Sequence, residues 1–395
     1  MSKKVLYSLL TVLIISATAL SACGSATPTA APATQAPATS APATQAPATT
    51  APAATTAPAT SAGKIAFLLP ENHTPRYESQ DLPNFKAELA AKGFDVANNL
   101  IYSNANQDAT TQQSQAEAAL TNGAKVLVLD PVDSASAAAI ADAAAQQNVP
   151  VISYDRLITG SKNVNYYISF DNVKVGELQA TTLMSALSGV TNPTIVMLNG
   201  DPADNNAKLF KQGAHSVFDP LVAAGKLTIG KEYDTPGWDG TKAQDEMTQA
   251  LTALNNKVDG VLAANDTLAA GAYAAMKAAG ITKPVPMTGQ DATVGGIQSI
   301  ISGTQTMTVY KAIKPEAAAA ADLAYDLVTG TPVPASMTNG ATTNNGVVEV
   351  PSILLTPVAV TKDNVETTVI ADGFWKVSDI CTADFAAACT AAGIK

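Results

Sequence analysis

The chain has 395 residues, enough for two domains of ordinary size rather than one small core. Charged side chains make up only 14% against 47% in the AVILMFWYC group, and the formal net charge is -10. That balance excludes a nucleic-acid partner, because neutralising phosphates needs clustered Lys and Arg.

Lys3 and Lys4 precede an apolar run from Val5 to Leu20, and Ser21, Ala22 and Cys23 follow it. A basic start, a short apolar core and small residues mark a secretory signal rather than a permanent membrane span. With the cysteine placed after them, residues 1–23 resemble a bacterial lipoprotein signal. That resemblance implies lipid on Cys23 as the first mature residue, and a protein held outside the cytoplasm at the cell membrane. Residues 24–63 read as a tether. Residues 26–62 are almost entirely Ala, Pro, Thr, Ser and Gln, with Ala-Pro-Ala-Thr repeated. Nothing large is available to bury, so the segment cannot offset its ordering entropy. As coil it reaches about 30–35 Å, and fully extended roughly 110 Å.

The folded part begins at Lys64. Ile65 to Leu69 is a continuous apolar run, as in a buried strand. Similar runs follow at Lys125–Leu129, Val149–Ser153, Thr194–Leu198, Lys226–Tyr233, Val258–Ala263 and Val285–Thr288. Between them lie helical patterns at Asn84–Lys92, Thr111–Thr121, Ala135–Gln147, Val173–Leu187, Ala207–Val222, Thr241–Leu254 and Thr267–Ala279. Strand–helix alternation at this spacing predicts an α/β fold with parallel sheets, and its length suits two similar lobes.

Polar residues collect where strands end. The first strand leads to Glu71, Asn72, Arg76 and Tyr77; later ones lead to Asp155 and Arg156, to Asn265 and Asp266, to Gln290 and Asp291, and to Lys311. In open parallel sheets ligands bind outside the carboxyl ends of the strands. Asp155 and Asp291 accept hydrogen bonds, Arg76, Arg156 and Lys311 donate them, and Asn205, Asn206 and Asn265 do both. This mixture with balanced signs suits a neutral molecule dense in hydroxyls, and Tyr77 and Trp238 offer faces for its C–H surface. Helix N-capping explains any one such doublet equally well. Asp266 reads mainly as a cap, His73 as a solvated loop residue, His215 as a surface or packing residue, and Trp375 as remote from the cleft.

Tyr154–Arg156, Tyr166–Asn172 with Val175–Gln179, Asp204–Phe210, Asn265–Asp266, Gly289–Ala292 and Gly303–Lys311 together resemble the D-xylose-binding branch of the type I periplasmic sugar-binding proteins of bacterial ABC importers. The resemblance runs from about Lys64 to Phe374. It departs over Pro70–Tyr77, where that branch has a more charged loop and Trp at the place of Tyr77. It implies two Rossmann-like lobes joined by three crossovers: residues 64–168 with about 309–340, and residues 169–308 with about 341–376. It also implies a sugar, D-xylose foremost, held by Arg76, Asp155 and Arg156 from the first lobe. Asn205 or Asn206, Trp238, Asn265 and Asp291 hold it from the second lobe, with Lys311 near a crossover. An ABC permease is the implied partner, and the protein is expected to be a monomer with no cofactor and no metal.

Residues 377–395 form a tail outside the resemblance. A disulfide between Cys381 and Cys389 is expected, since an exported compartment permits it. In one continuous helix their Cα atoms would lie about 12 Å apart, whereas a disulfide allows about 4.4–6.8 Å. Pairing therefore needs a bend, expected near Ala383 to Phe385.

Other classes fit less well. A glycosidase needs two free carboxylates flanking a bond, and Asp155 and Asp291 have basic neighbours. There is no G-x-S-x-G elbow, no P-loop and no zinc-like Cys/His spacing. A ligand-sensing repressor would carry a DNA-binding helix-turn-helix where this chain has a signal and tether. A binder that reports sugar to a membrane sensor or chemoreceptor, and binders of glucose, ribose or arabinose, stay open.

Overall fold

A computed structural model describes residues 63–394; the expected signal, Cys23 and nearly all of the tether lie outside the described residues. The strands of the first half are β1 (Lys64–Leu69), β2 (Leu100–Asn104), β3 (Ala124–Leu129), β4 (Val151–Tyr154) and β5 (Tyr166–Phe170). Those of the second are β6 (Thr194–Asn199), β7 (Thr228–Asp234), β8 (Gly260–Ala263) and β9 (Met307–Tyr310). The last three are β10 (Thr342–Asn344), β11 (Glu349–Leu355) and β12 (Val358–Thr361).

The first sheet runs β10-β11-β5-β4-β3-β1-β2, parallel throughout except for β10 at its edge. Ile65 to Leu69 of β1 are fully buried because helices cover both faces. With the period of two, Ile65, Phe67 and Leu69 pack with residues of the helices Leu82–Ala91 and Ile313–Thr329. Ala66 and Leu68 pack with those of Ala109–Thr121 and Ala138–Gln146.

The second sheet is built the same way. β7, β6 and β8 are parallel, and single parallel bridges at Val261–Met287 and Gln290–Val309 carry the pairing on to β9, which pairs antiparallel with β12. The strand expected over Val285–Thr288 is thus reduced to bridges. Ile195 and Met197 pack with residues of helices Asn172–Ala186 and Asn205–Ala223; Val196 and Leu198 pack with those of Gly240–Ala253 and Asp266–Ala278.

The chain passes between the sheets three times: at Asp171 after β5, at Lys311 and Ala312 after β9, and at Thr356 and Pro357 after β11. One boundary differs from the expectation. The sequence places 341–376 wholly in the second lobe, but β10 and β11 belong to the first sheet, with Ser352–Leu355 registered on Tyr167–Phe170. An extra parallel strand there satisfies the backbone edge of β5 and buries Val350 and Ser352. The second lobe resumes at β12.

The tail breaks where the cysteine spacing requires. A short helix Val377–Ile380, a 3-10 turn Ala383–Phe385 and a helix Ala386–Ala391 bring the Cα atoms of Cys381 and Cys389 to 5.9 Å, and the two are joined in a disulfide.

Candidate functional site

The two lobes meet in a closed arrangement. Ser134 N–H donates to the Ala203 carbonyl at 3.0 Å, and Asn205 N–H donates to Ser134 Oγ at 3.0 Å. Gln107 Nε2 donates to Asp201 at 2.6 Å. His73 reaches the Gly237 carbonyl at 2.7 Å, and Thr267 donates to the His73 carbonyl at 3.1 Å. His73 is thus an exposed loop residue, as expected, that also bonds across the seam.

Beneath this seam lies a pocket between the lobes, walled mostly by buried side chains. From the first lobe it is lined by Thr74, Arg76, Tyr77, Asp155 and Arg156; from the second by Asp204, Asn206, Phe210, Trp238, Asn265, Gln290 and Asp291; and by Lys311 on the crossover.

Local structure explains these placements. A single π-helical segment, Tyr77–Asp81, follows Arg76 and precedes the first long helix. Insertions of this kind recur at functional sites because they re-aim side chains. Here Arg76 Nη2 lies 3.3 Å from Asp81 and 3.0 Å from Asp155. Asp155 and Asp291 each follow strand-paired residues with positive φ, 52° and 86°. Aspartate tolerates the left-handed region better than most residues, and sharp corners of this kind cluster at binding sites. Both carboxylates lie within reach of Lys311 Nζ, at 3.7 Å and 3.5 Å.

The lining is formally neutral, with Arg76, Arg156 and Lys311 against Asp155, Asp204 and Asp291. Burial alone would raise the Asp155 carboxyl. Arg76, then Lys311 and Arg156, more than offset it, and the Tyr77 hydroxyl donates to it at 2.9 Å, so the group sits well below the usual range. Burial pushes Asp204 up to about 6 despite Arg156 Nε at 3.1 Å. Behind the lining, burial also raises Asp81 to about 6 and lifts Asp130 and Glu316 well above their ordinary value.

Some polar atoms of this wall have no partner among the described residues: Nε and Nη1 of Arg76 and Oε1 of Gln290. Each would cost roughly 1–3 kcal/mol if left so. A ligand that accepts from Arg76 and donates to Gln290 satisfies both, and a hydroxyl does either.

The expected residues divide. Arg76, Tyr77, Asp155, Arg156, Asn206, Trp238, Asn265, Asp291 and Lys311 converge on the cavity. Asn72 and Asn205 are not among its lining residues. Asn72 is exposed and bonded to Asn104 and Asn106, held by the loop after β2. Asn205 is half-buried at the helix start, where its backbone N–H meets Ser134 while Asn206 turns inward. Asn206 Nδ2 donates to the carbonyl and Oδ1 of Asp155 at 3.0 and 3.3 Å.

Other roles also shift. The Tyr77 ring lies near both guanidinium groups, 4.9 Å from Arg76 and 5.6 Å from Arg156, and its hydroxyl is spent on Asp155. Trp238 is buried in the second lobe's core. It packs against Gly200, where any Cβ would sit about 2.0 Å from its ring, and its Nε1 donates to Asp204 at 3.2 Å. The cap of helix Asp266–Ala278 is Asn265, accepting from Leu268 N–H at 2.9 Å. Asp266 instead ties Thr293 and Gln305 together. His215 sits at the partly buried surface between Asp219 and Glu232. Trp375 is not remote: its Nε1 donates to the Ala292 carbonyl at 2.8 Å.

Thr74, Asp204, Phe210 and Gln290 line the cavity although the sequence pattern does not mark them as ligands. Asp204, Phe210 and Gln290 stand inside stretches already notable in sequence. Thr74 lies in the loop that departs from the resembled pattern and carries no signal of its own.

Comparison with known proteins agrees with this architecture. The chain is 40% identical over 319 residues to the D-xylose-binding periplasmic protein of Escherichia coli, covering 80% of this chain and 92% of that protein. It is 35% identical over 334 residues to the multiple sugar-binding periplasmic receptor ChvE of Rhizobium radiobacter, with the same two coverages, 80% and 92%. A solved carbohydrate transporter solute binding protein of Chloroflexus aurantiacus, in complex with D-glucose, matches with a TM-score of 0.74 at 32% identity. That match covers 80% of this chain and 97% of the other. Proteins of this kind bind solutes and are not enzymes. Residues 65–332 match the family model of the periplasmic binding protein domain, and the chain belongs to that family.

Proposed function

We propose that this protein is an extracytoplasmic receptor that captures a neutral monosaccharide, D-xylose foremost, by closure of two lobes and delivers it to an ABC permease. The observation that carries the reading is the buried lining of the pocket between the lobes: three cations against three carboxylates, and unpartnered donor and acceptor atoms on Arg76 and Gln290. A charged ligand would upset that balance, whereas a polyol completes it. Asp155, Asp291, Arg76, Arg156, Asn206, Asn265 and Lys311 are the proposed sugar contacts, with Phe210 and Trp238 as the apolar wall. The D-xylose assignment draws support from the relative of that name at 40% identity. A sugar favours the closed state only by its extra affinity for it, here contacts from both lobes at once.

A wider choice of aldoses is the second reading. It is favoured by the glucose complex at 32% identity and by the relative named for multiple sugars. A thermal-shift screen against a dozen aldoses separates the two. Binding to the folded form alone raises stability by RT ln(1 + [L]/Kd), so saturating sugar should add a few kcal/mol. Xylose giving the largest shift supports the first reading, equal shifts with glucose and arabinose support the second, and no shift with any aldose overturns both.

Anchoring through lipid on Cys23 belongs to the same proposal. Cys23→Ser should move the protein from the membrane to the soluble fraction with sugar affinity unchanged. A variant that stays membrane-bound would speak against lipid at this position.

A further inference from the structure

Asp291 is followed by a second left-handed residue, Ala292, with φ 46°. Alanine has no side-chain hydrogen bond to favour that region, so this corner holds its shape only through outside tethers. Asp291 N–H donates to the Val309 carbonyl at 2.9 Å, and Ala292 N–H donates to Thr308 Oγ1 at 3.1 Å. A third tether reaches the Ala292 carbonyl, which accepts from Trp375 Nε1 at 2.8 Å.

Trp375 lies beyond the residues matched by the family model, which end at 332. It is firmly seated. Phe374 packs edge-on against both Trp375 and Tyr310, the Tyr310 hydroxyl donates to Asp372 at 3.1 Å, and Gln298 Nε2 donates to the Ile380 carbonyl at 3.0 Å. The Phe374 carbonyl accepts from Gln80 Nε2 of the first lobe at 3.1 Å, and Gln80 belongs to the same π-helical segment as Tyr77. Two successive residues, Phe374 and Trp375, thus join the sugar-facing corner of one lobe to the sugar-facing turn of the other.

We infer that Trp375 is a positioning residue for Asp291: its indole N–H pins the Ala292 carbonyl and so fixes the carboxylate that faces the sugar. The inference rests on the proposed reading of Asp291 as a sugar contact. Trp375→Phe keeps an aromatic ring beside Phe374 and removes only the donor. By calorimetry with xylose on the full chain, its Kd should rise roughly three- to tenfold, the effect of losing one hydrogen bond. In an Asp291→Ala background the same substitution should change Kd less than about twofold, because coupled residues are not additive.

A tryptophan that merely packs the tail would lower the melting temperature and leave Kd at the wild-type value; that result overturns the inference while sparing the sugar site. Equal losses in both backgrounds also overturn it, since the effect then bypasses Asp291. If Asp291→Ala alone leaves xylose affinity intact, the ligand reading of Asp291 has failed, and the inference falls with it. The unsubstituted protein offers a second readout. By linkage, if the bond favours sugar then sugar favours the bond. Hydrogen exchange of the Trp375 indole N–H, followed by NMR, should slow on saturation with xylose, and unchanged exchange contradicts the inference.

Discussion

Asp291 and Asp266 show how little a residue type says about its role. Both are buried, both lie at the carboxyl end of the second sheet, and they are 25 positions apart. Asp291 turns into the cavity opposite Lys311, while Asp266 holds Thr293 and Gln305. Asp291→Ala is expected to weaken sugar binding roughly 10- to 100-fold, because sugar hydroxyls are left buried and unpaired. Asp266→Ala should instead lower the unfolding free energy by about 1–3 kcal/mol with a smaller effect on affinity. Calorimetry and denaturant unfolding of the two variants check this, and equal affinity losses would contradict the division. The strand-end pattern makes Asp291, Asp155 and the basic residues legible in the sequence. It fails for Asn72 and Asn205, because sequence does not tell which of two neighbouring amides turns inward. Asn206 points into the cavity and Asn205 leaves its backbone at the seam.

At the scale of elements, continuous apolar runs make the central strands legible, since only strands covered on both faces look like that. β2 shows why others are not: all five of its residues are half-buried at the sheet edge, so the apolar run is missing. β10 and β11 escape for a related reason: their residues are partly exposed, and β11 pairs with β5, far back in the chain. Helices Asn172–Ala186 and Asn205–Ala223 cross where a Cβ on Gly176 would lie 1.9 Å from the Phe210 carbonyl and one on Gly213 2.0 Å from that of Val173. That approach fixes Asn206 and Phe210, one turn away, against the cavity. In the tail, Cys381 and Cys389 are eight positions apart, and closing so short a loop is worth about 2.5 kcal/mol on the chain-entropy view. Protein lacking Cys23, denatured without reductant, should show no reactive thiol. Two reactive thiols in protein recovered from the cell envelope would contradict the pairing.

Across the whole molecule, buried carboxylates set the response to pH. Burial raises Asp266 to about 7, and Asp81 and Asp204 to about 6. Unfolded aspartates ionise near 3.9, so between roughly pH 4 and pH 7 the folded chain keeps protons the unfolded chain has lost. Stability then falls as pH rises. Asp155 works the other way: its depressed pKa contributes stability above about pH 4, lost only as pH falls further. The ligand-free protein should therefore melt at higher temperature at pH 5 than at pH 8, and Asp266→Asn should flatten part of the slope. A melting temperature that rises from pH 5 to pH 8 would contradict this assignment. The same packing of charges in a closed seam underlies the central claim, that the cavity takes a neutral sugar. Calorimetric titration with D-xylose beside its carboxylate counterpart, D-xylonate, tests it most directly. Xylose should bind with a Kd of about 1 μM or tighter, some -8 kcal/mol, and xylonate at least about 100-fold more weakly. Xylonate binding as tightly as xylose, or no heat from xylose at millimolar concentration, would contradict the account.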